Sequence, residues 1–175
     1  ADTASWLCAL RRDRSVSVRD LQKILHQSAT QYPDQLPILL QAALFHAQAE
    51  PQLALDLLMQ STPPNSPYPF CVMATGFQAR LNFQIDQIEN AEDLITQALE
   101  IWPDEPRWHS LAASIQQKKP NFSDFSEPCR HLEEAIRLEP RHLPHYLSLG
   151  ELLKAQPEIE PTLLAKVARL LERAA

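Results

Sequence analysis

The chain has 175 residues, 45% of them hydrophobic and 22% charged, with two glycines, fifteen prolines and three cysteines. That is long enough to bury a core without a disulfide or metal staple, since a chain of this size hides about 70% of the surface its unfolded form exposes. Sixteen Lys and Arg against twenty-two Asp and Glu give a formal charge of -6, which disfavours general polyanion binding, so nucleic acid is not an expected partner.

Cys8, Cys71 and Cys129 are odd in number and widely spaced, the pattern of buried thiols in a reducing compartment rather than of a disulfide framework or zinc site. The longest apolar runs fall short of the ~20 residues that span a bilayer. The start, ADTASWLCALRRD, has its arginines after its apolar part, unlike a secretory leader. The expectation is a cytoplasmic chain without membrane contact. It begins at Ala1 without an initiator Met, which fits a piece of a longer protein.

Apolar residues recur at spacings of three and four throughout, and no segment sustains period-two alternation, so the fold class is all-α. The predicted elements run as follows in chain order. A short helix falls near Trp6–Leu10. Ser17-Val18-Arg19-Asp20 reads as a capping box, in which the Ser17 hydroxyl and the Asp20 carboxylate each take an orphan amide and open a helix to about Gln31. Further helices are predicted over 35–48, 52–61, 68–82, 89–101, 105–117, 126–138, 142–155 and 160–173. Short connectors make successive helices antiparallel neighbours. Residues 62–67 and 118–125 are longer and are expected to protrude.

Three proline turns recur. Tyr32-Pro33-Asp34, Trp102-Pro103-Asp104 and Glu139-Pro140-Arg141 each close a helix and are followed by Pro37, Pro106 or Pro144. Pro33 and Pro103 are 70 apart and Pro103 and Pro140 are 37 apart, a period in the mid-thirties that holds two helices. Within it, Tyr146, Leu149, Gly150 and Leu153 follow Leu132, Ala135 and Pro140. Trp108, Leu111, Ala112 and Ile115 follow Ala91, Ile95, Ala98 and Pro103. Phe70, Met73, Ala74 and Phe77, then Leu39, Ala42, Ala43 and His46, give two more first-helix patterns. Leu21, Leu25, Ser28 and Pro33 read as a second helix.

These motifs resemble tetratricopeptide repeats, over roughly residues 17–155. The resemblance implies about four repeats in a right-handed α-solenoid of antiparallel helix pairs. Residues 1–16 would be an N-terminal helix or capping segment and 156–175 a C-terminal capping helix of one continuous domain. Ala43, Ala74, Ala112 and Gly150 are expected at close helix crossings, so that a large side chain at Gly150 or Ala112 would break the stack. First-helix spacings of 31, 38 and 38 residues imply one shortened turn and two insertions.

A search for chemistry returns little. His142-x-x-His145 reads as a surface pair without an acidic or Cys ligand at diagnostic spacing. Cys129-Arg130-His131 lacks an acid partner and an oxyanion turn. Glu133, Glu134 and the acids of 89–105 read as solvated surface, and Arg11, Arg12, Arg14 and Arg19 as a solubilising edge. No nucleophile, base and orienter converge. The expectation is a chain that is not an enzyme and carries no cofactor or metal.

In the tetratricopeptide family, first helices line a concave groove for a peptide or partner helix. The corresponding residues here are Leu40, Leu44 and Gln48, then Cys71, Thr75 and Gln78, then His109, Ala113 and Gln116, then Leu147, Glu151 and Lys154. One subclass clamps acidic tails with Lys, Asn and Arg. The matching places, Leu40, Leu44, Val72, Pro106, Ser110, Pro144 and Ser148, cannot pair a carboxylate. The expected ligand is an amphipathic helix or extended segment with apolar anchors. The function expected is a protein-interaction scaffold. The alternative is a sensor or dimerisation segment of a larger signalling protein, its groove filled by its own chain, and a homo-oligomer is compatible with both.

Overall fold

A computed structural model describes residues 17–32, 35–59, 69–120 and 122–155 together with Arg169, the side chains of Val18, Pro69 and Phe70 excepted. The expected helices at 6–10 and 160–173, the 62–67 loop, Cys8 and Arg11, Arg12 and Arg14 lie outside these residues. Eight α-helices occupy the described chain: α1 Val18–Gln31, α2 Leu36–His46, α3 Pro51–Met59, α4 Pro69–Gln84, α5 Ile88–Ile101, α6 Pro106–Gln117, α7 Ser126–Leu138 and α8 Leu143–Lys154. Every predicted boundary within the described residues falls within about two positions of these.

The start of α1 shows how locally these limits are set. Ser17 Oγ accepts the Asp20 amide at 3.1 Å, as a capping residue should. The Asp20 carboxylate accepts the Ser17 hydroxyl proton at 2.6 Å, in place of the amide expected for it. At α2, α6 and α8 a proline occupies the first or second helical position, where its missing N–H has no helical partner to lose. Asp86, the one non-glycine residue with positive φ among those described (59°), turns the chain between α4 and α5.

The chain forms two compact units, residues 1–94 and 95–175. In the first, α1 packs on α2, α2 on α3, α3 on α4, and α2 also touches α4. Helix α2 is apolar around most of its circumference because it is packed on two sides, with Pro37, Gln41 and Leu44 half-buried on the third. Ile38, Leu39 and Ala42 meet Leu21, Leu25 and Ala29 of α1, while Leu36, Leu40 and Ala43 meet Ala54, Leu55 and Leu58 of α3 and Ala74 of α4. In the second unit α6 packs on α7 and α7 on α8, around Ala113, Cys129, Leu132, Ile136, Tyr146 and Leu149. Trp102 meets Trp108 edge to face, with centroids 5.8 Å apart.

Two expectations change here. The 118–125 connection does not protrude at its apolar end: Phe122 and Phe125 pack against the second unit's core and against each other, centroids 4.8 Å apart. Two phenyl rings bury too much apolar surface to stay in water when a core edge is within reach. Among the described residues Gly150 is not at a close crossing, because a Cβ built there meets none of them within 4 Å. Ala43 and Ala74 are fully buried and Ala112 nearly so.

Candidate functional site: the first-helix faces

Repeat register decides which residues line a face. Helices α6 and α8 each have 12 residues and start 37 positions apart. At that offset Trp108 matches His145, His109 matches Tyr146, Ala112 matches Leu149 and Ile115 matches Leu152, and all eight are buried. The offset of 38 expected from the aromatic pattern would pair buried His109 with exposed Leu147 and buried Ala113 with exposed Glu151. One residue turns a helix by about 100°, so the slip carries a side chain from the outer face to the core.

The hydrogen bonds repeat with the same period. Tyr146 donates its hydroxyl to the Pro140 carbonyl at 2.8 Å, and His109 Nε2 lies 2.7 Å from the Pro103 carbonyl. That carbonyl can only accept, so Nε2 carries the proton and His109 Nδ1 is an acceptor. The donor to it is His131 Nδ1–H, 3.0 Å away. Burial, then the charge of Arg130 and the neighbouring His109 ring, push His131 down to about 4 against the weaker opposing effect of Glu127. His109 is therefore a bonded interior residue and offers no ring atom to a ligand.

The remaining groove candidates divide by burial. Leu40 and Cys71 belong to the first unit's core, and Gln78 is buried, with its carbonyl accepting from Asn82 Nδ2 at 2.9 Å. Thr75 is half-buried and its hydroxyl donates to the Cys71 carbonyl at 3.0 Å. Leu44 is half-buried and Gln48 exposed, in line with half-buried Pro37 and Gln41. On α4 the outward residues are Met73, Arg80 and Gln84. In the second unit Gln116 is half-buried and Ala113 fully buried, while Ser114 and Gln117 are half-buried at the places that match Glu151 and Lys154. Leu147 is 66% exposed, and Glu151 and Lys154 follow it into solvent. The structure thus brings Leu147, Glu151 and Lys154 onto one face, with Leu143 (62% exposed) one turn earlier.

Helices α6 and α8 are tied by Ser110 Oγ and His145 Nδ1, 2.7 Å apart. His145 is lowered by burial and by His142, against the opposing effect of Glu139. The acid that the sequence reading did not find is Glu139, three residues before His142 in Glu139-x-x-His142-x-x-His145. The acids of α7 pair at the surface: Arg130 with Glu127 and Arg137 with half-buried Glu134, each at 2.6 Å and with the arginines largely exposed, a class of contact that contributes little to stability.

No family model matches the sequence, and no curated protein matches it. The fold is nonetheless one that solved structures share: the all-α, tetratricopeptide-type solenoid of antiparallel helix pairs. MamA from Desulfovibrio magneticus RS-1, residue 41 to the end, superposes with a TM-score of 0.73 at 17% identity, covering 99% of this chain and 97% of that one. Pseudomonas aeruginosa PilF gives 0.73 at 14% identity over 98% of this chain and 74% of that one. A chain of the APC/C heterotetramer Cut9–Hcn1 gives 0.65 at 13% identity, over 78% of this chain and 27% of that one. All three are tetratricopeptide-repeat proteins. No helix among the described residues is long and apolar enough to cross a membrane.

Proposed function

We propose that this chain is a non-catalytic protein-interaction module that binds a peptide or helix of a partner protein on the exposed faces of its first helices. The observation that carries the reading is Leu147, a large apolar side chain 66% exposed on a first helix at a place where the repeat family holds its ligands. Leu143 extends the apolar strip, and Glu151 and Lys154 supply opposite charges beyond it. That combination suits an amphipathic helix or extended segment whose apolar anchors sit on the leucines and whose polar flank is read by the charged pair. In the first unit the equivalent face carries Leu44 and Gln48 on α2. The fold shared with other repeat proteins supports binding as the general role.

A displayed library of random peptides, selected on the purified chain, tests this. Leu147→Asp should remove binding of the selected peptides while leaving the helical circular dichroism unchanged, and Leu44→Asp tests the first unit's face in the same way. Selection that yields no ligand sensitive to either change overturns the reading.

A further inference from the structure

The turn between α7 and α8 gathers three metal-ligand side chains. The ligand atoms of Glu139, His142 and His145 all lie within 4.8 Å of one another. Glu139 Oε2 is 3.4 Å from His145 Nε2 and 4.0 Å from His142 Nδ1. With metal–ligand bonds of about 2.0–2.2 Å, donor atoms on a zinc tetrahedron stand about 3.3–3.6 Å apart. The first pair already has that separation, the second needs a shift of about half an ångström, and the two histidine nitrogens, within 4.8 Å of each other, close the remaining distance by rotation of the half-exposed His142 side chain.

His145 adds an independent observation. The residue is 3% exposed, and among the described residues its fully buried Nε2 has no partner in good hydrogen-bond geometry, only Glu139 Oε2 facing it at 3.4 Å. A buried imidazole nitrogen left in that state is costly. Its other nitrogen, Nδ1, lies 2.7 Å from Ser110 Oγ. A proton on Nδ1 donated to that hydroxyl leaves the Nε2 lone pair directed at Glu139, and such an outer hydrogen bond is what fixes the tautomer of a metal-binding histidine. His142 and Glu139 are 42% and 46% exposed, which gives an ion a path in and leaves room for water.

We propose that Glu139, His142 and His145 bind a divalent first-row transition-metal ion, represented by Zn2+, through one carboxylate oxygen and two imidazole nitrogens, with water in the fourth position. Two histidines and a glutamate form a set that suits zinc. The ion would tie the inter-repeat turn to α8 and, through His145 and Ser110, to α6. This proposal stands apart from the peptide-binding reading.

The test is competition titration of the EDTA-stripped chain with Zn2+ against a chromogenic chelator, together with Co2+ binding followed by its visible absorption. One ion per chain is expected, and Zn2+ should raise the melting temperature. Glu139→Gln and His142→Ala alter half-exposed side chains and should keep native helicity while each weakens Zn2+ binding at least tenfold. His145→Gln should remove the Co2+ absorption. Zn2+ binding unchanged in both Glu139→Gln and His142→Ala, or no binding by the parent chain at millimolar Zn2+, would overturn the proposal.

Discussion

His109 and Tyr146 hold the same place in successive repeats. Each reaches back six residues to a proline carbonyl, His109 to Pro103 at 2.7 Å and Tyr146 to Pro140 at 2.8 Å. The bond closes the proline turn onto the helix that follows it. Tyr146→Phe deletes the donor and leaves the ring, so it should cost about 0.5–1.5 kcal/mol. Urea denaturation should show a lower midpoint at an unchanged slope.

Gly150 is helical and a Cβ there meets none of the described residues within 4 Å. Gly150→Ala should therefore stabilise the chain by about 0.5–1 kcal/mol, because alanine lowers the entropy of the unfolded chain and favours the helix. A raised thermal midpoint checks it. A loss of stability would restore the close crossing expected from the sequence.

Acid should weaken the second unit. His131 sits at about 4, below its ordinary 6.5, so between those values the folded state binds fewer protons than the unfolded one. Stability is then complete above about pH 6.5 and falls as pH drops toward 4, by about 1–3 kcal/mol for this residue. His131→Asn keeps a donor for His109 Nδ1 and removes the titration. Its denaturation midpoints, measured across pH with EDTA present, should show a shallower slope, with His145 and the carboxylates of Glu105, Glu127 and Glu134, all lowered, contributing to what remains.

Phe125 packs on the second unit's core from a segment without helical structure. Phe125→Ala should cost about 1–3 kcal/mol, the scale for a large side chain losing most of its burial. Limited proteolysis after Lys118 should quicken in the variant. An unchanged cleavage rate would return the loop to the surface.

Helix positions were legible because prolines and periodicity punctuate this chain locally. The repeat class was legible because Pro103 and Pro140 mark equal turns. Repeat register was not, because Trp108 and His109 are adjacent and either completes an apolar stripe of period near 3.6. The aromatic Trp108 matched Tyr146 by residue type, whereas the hydrogen bond to the proline carbonyl selects His109. The groove residues inherit that slip: His109 is interior, while Leu147, Glu151 and Lys154, where the proline turn and the aromatic agree, lie outside. Leu40 went to the core because α2 packs on α1 on one side and on α3 and α4 on the other, and Cys71 because α4 turns it onto α2 and α3, which no single-helix pattern reveals. Glu139 escaped notice because it precedes α8, and only the turn brings its carboxylate to His145. A period-three reading across the helix start, Glu139-x-x-His142-x-x-His145, would have found it.

The most direct test of the binding account is a map of backbone amide chemical shifts as a selected peptide is added to the isotope-labelled chain. The account predicts the largest changes along the outward face of α6 and α8, at Ser114, Gln117, Leu147, Glu151 and Lys154. Changes centred on Arg130, Glu134 and Arg137 of α7, with α8 silent, would contradict it.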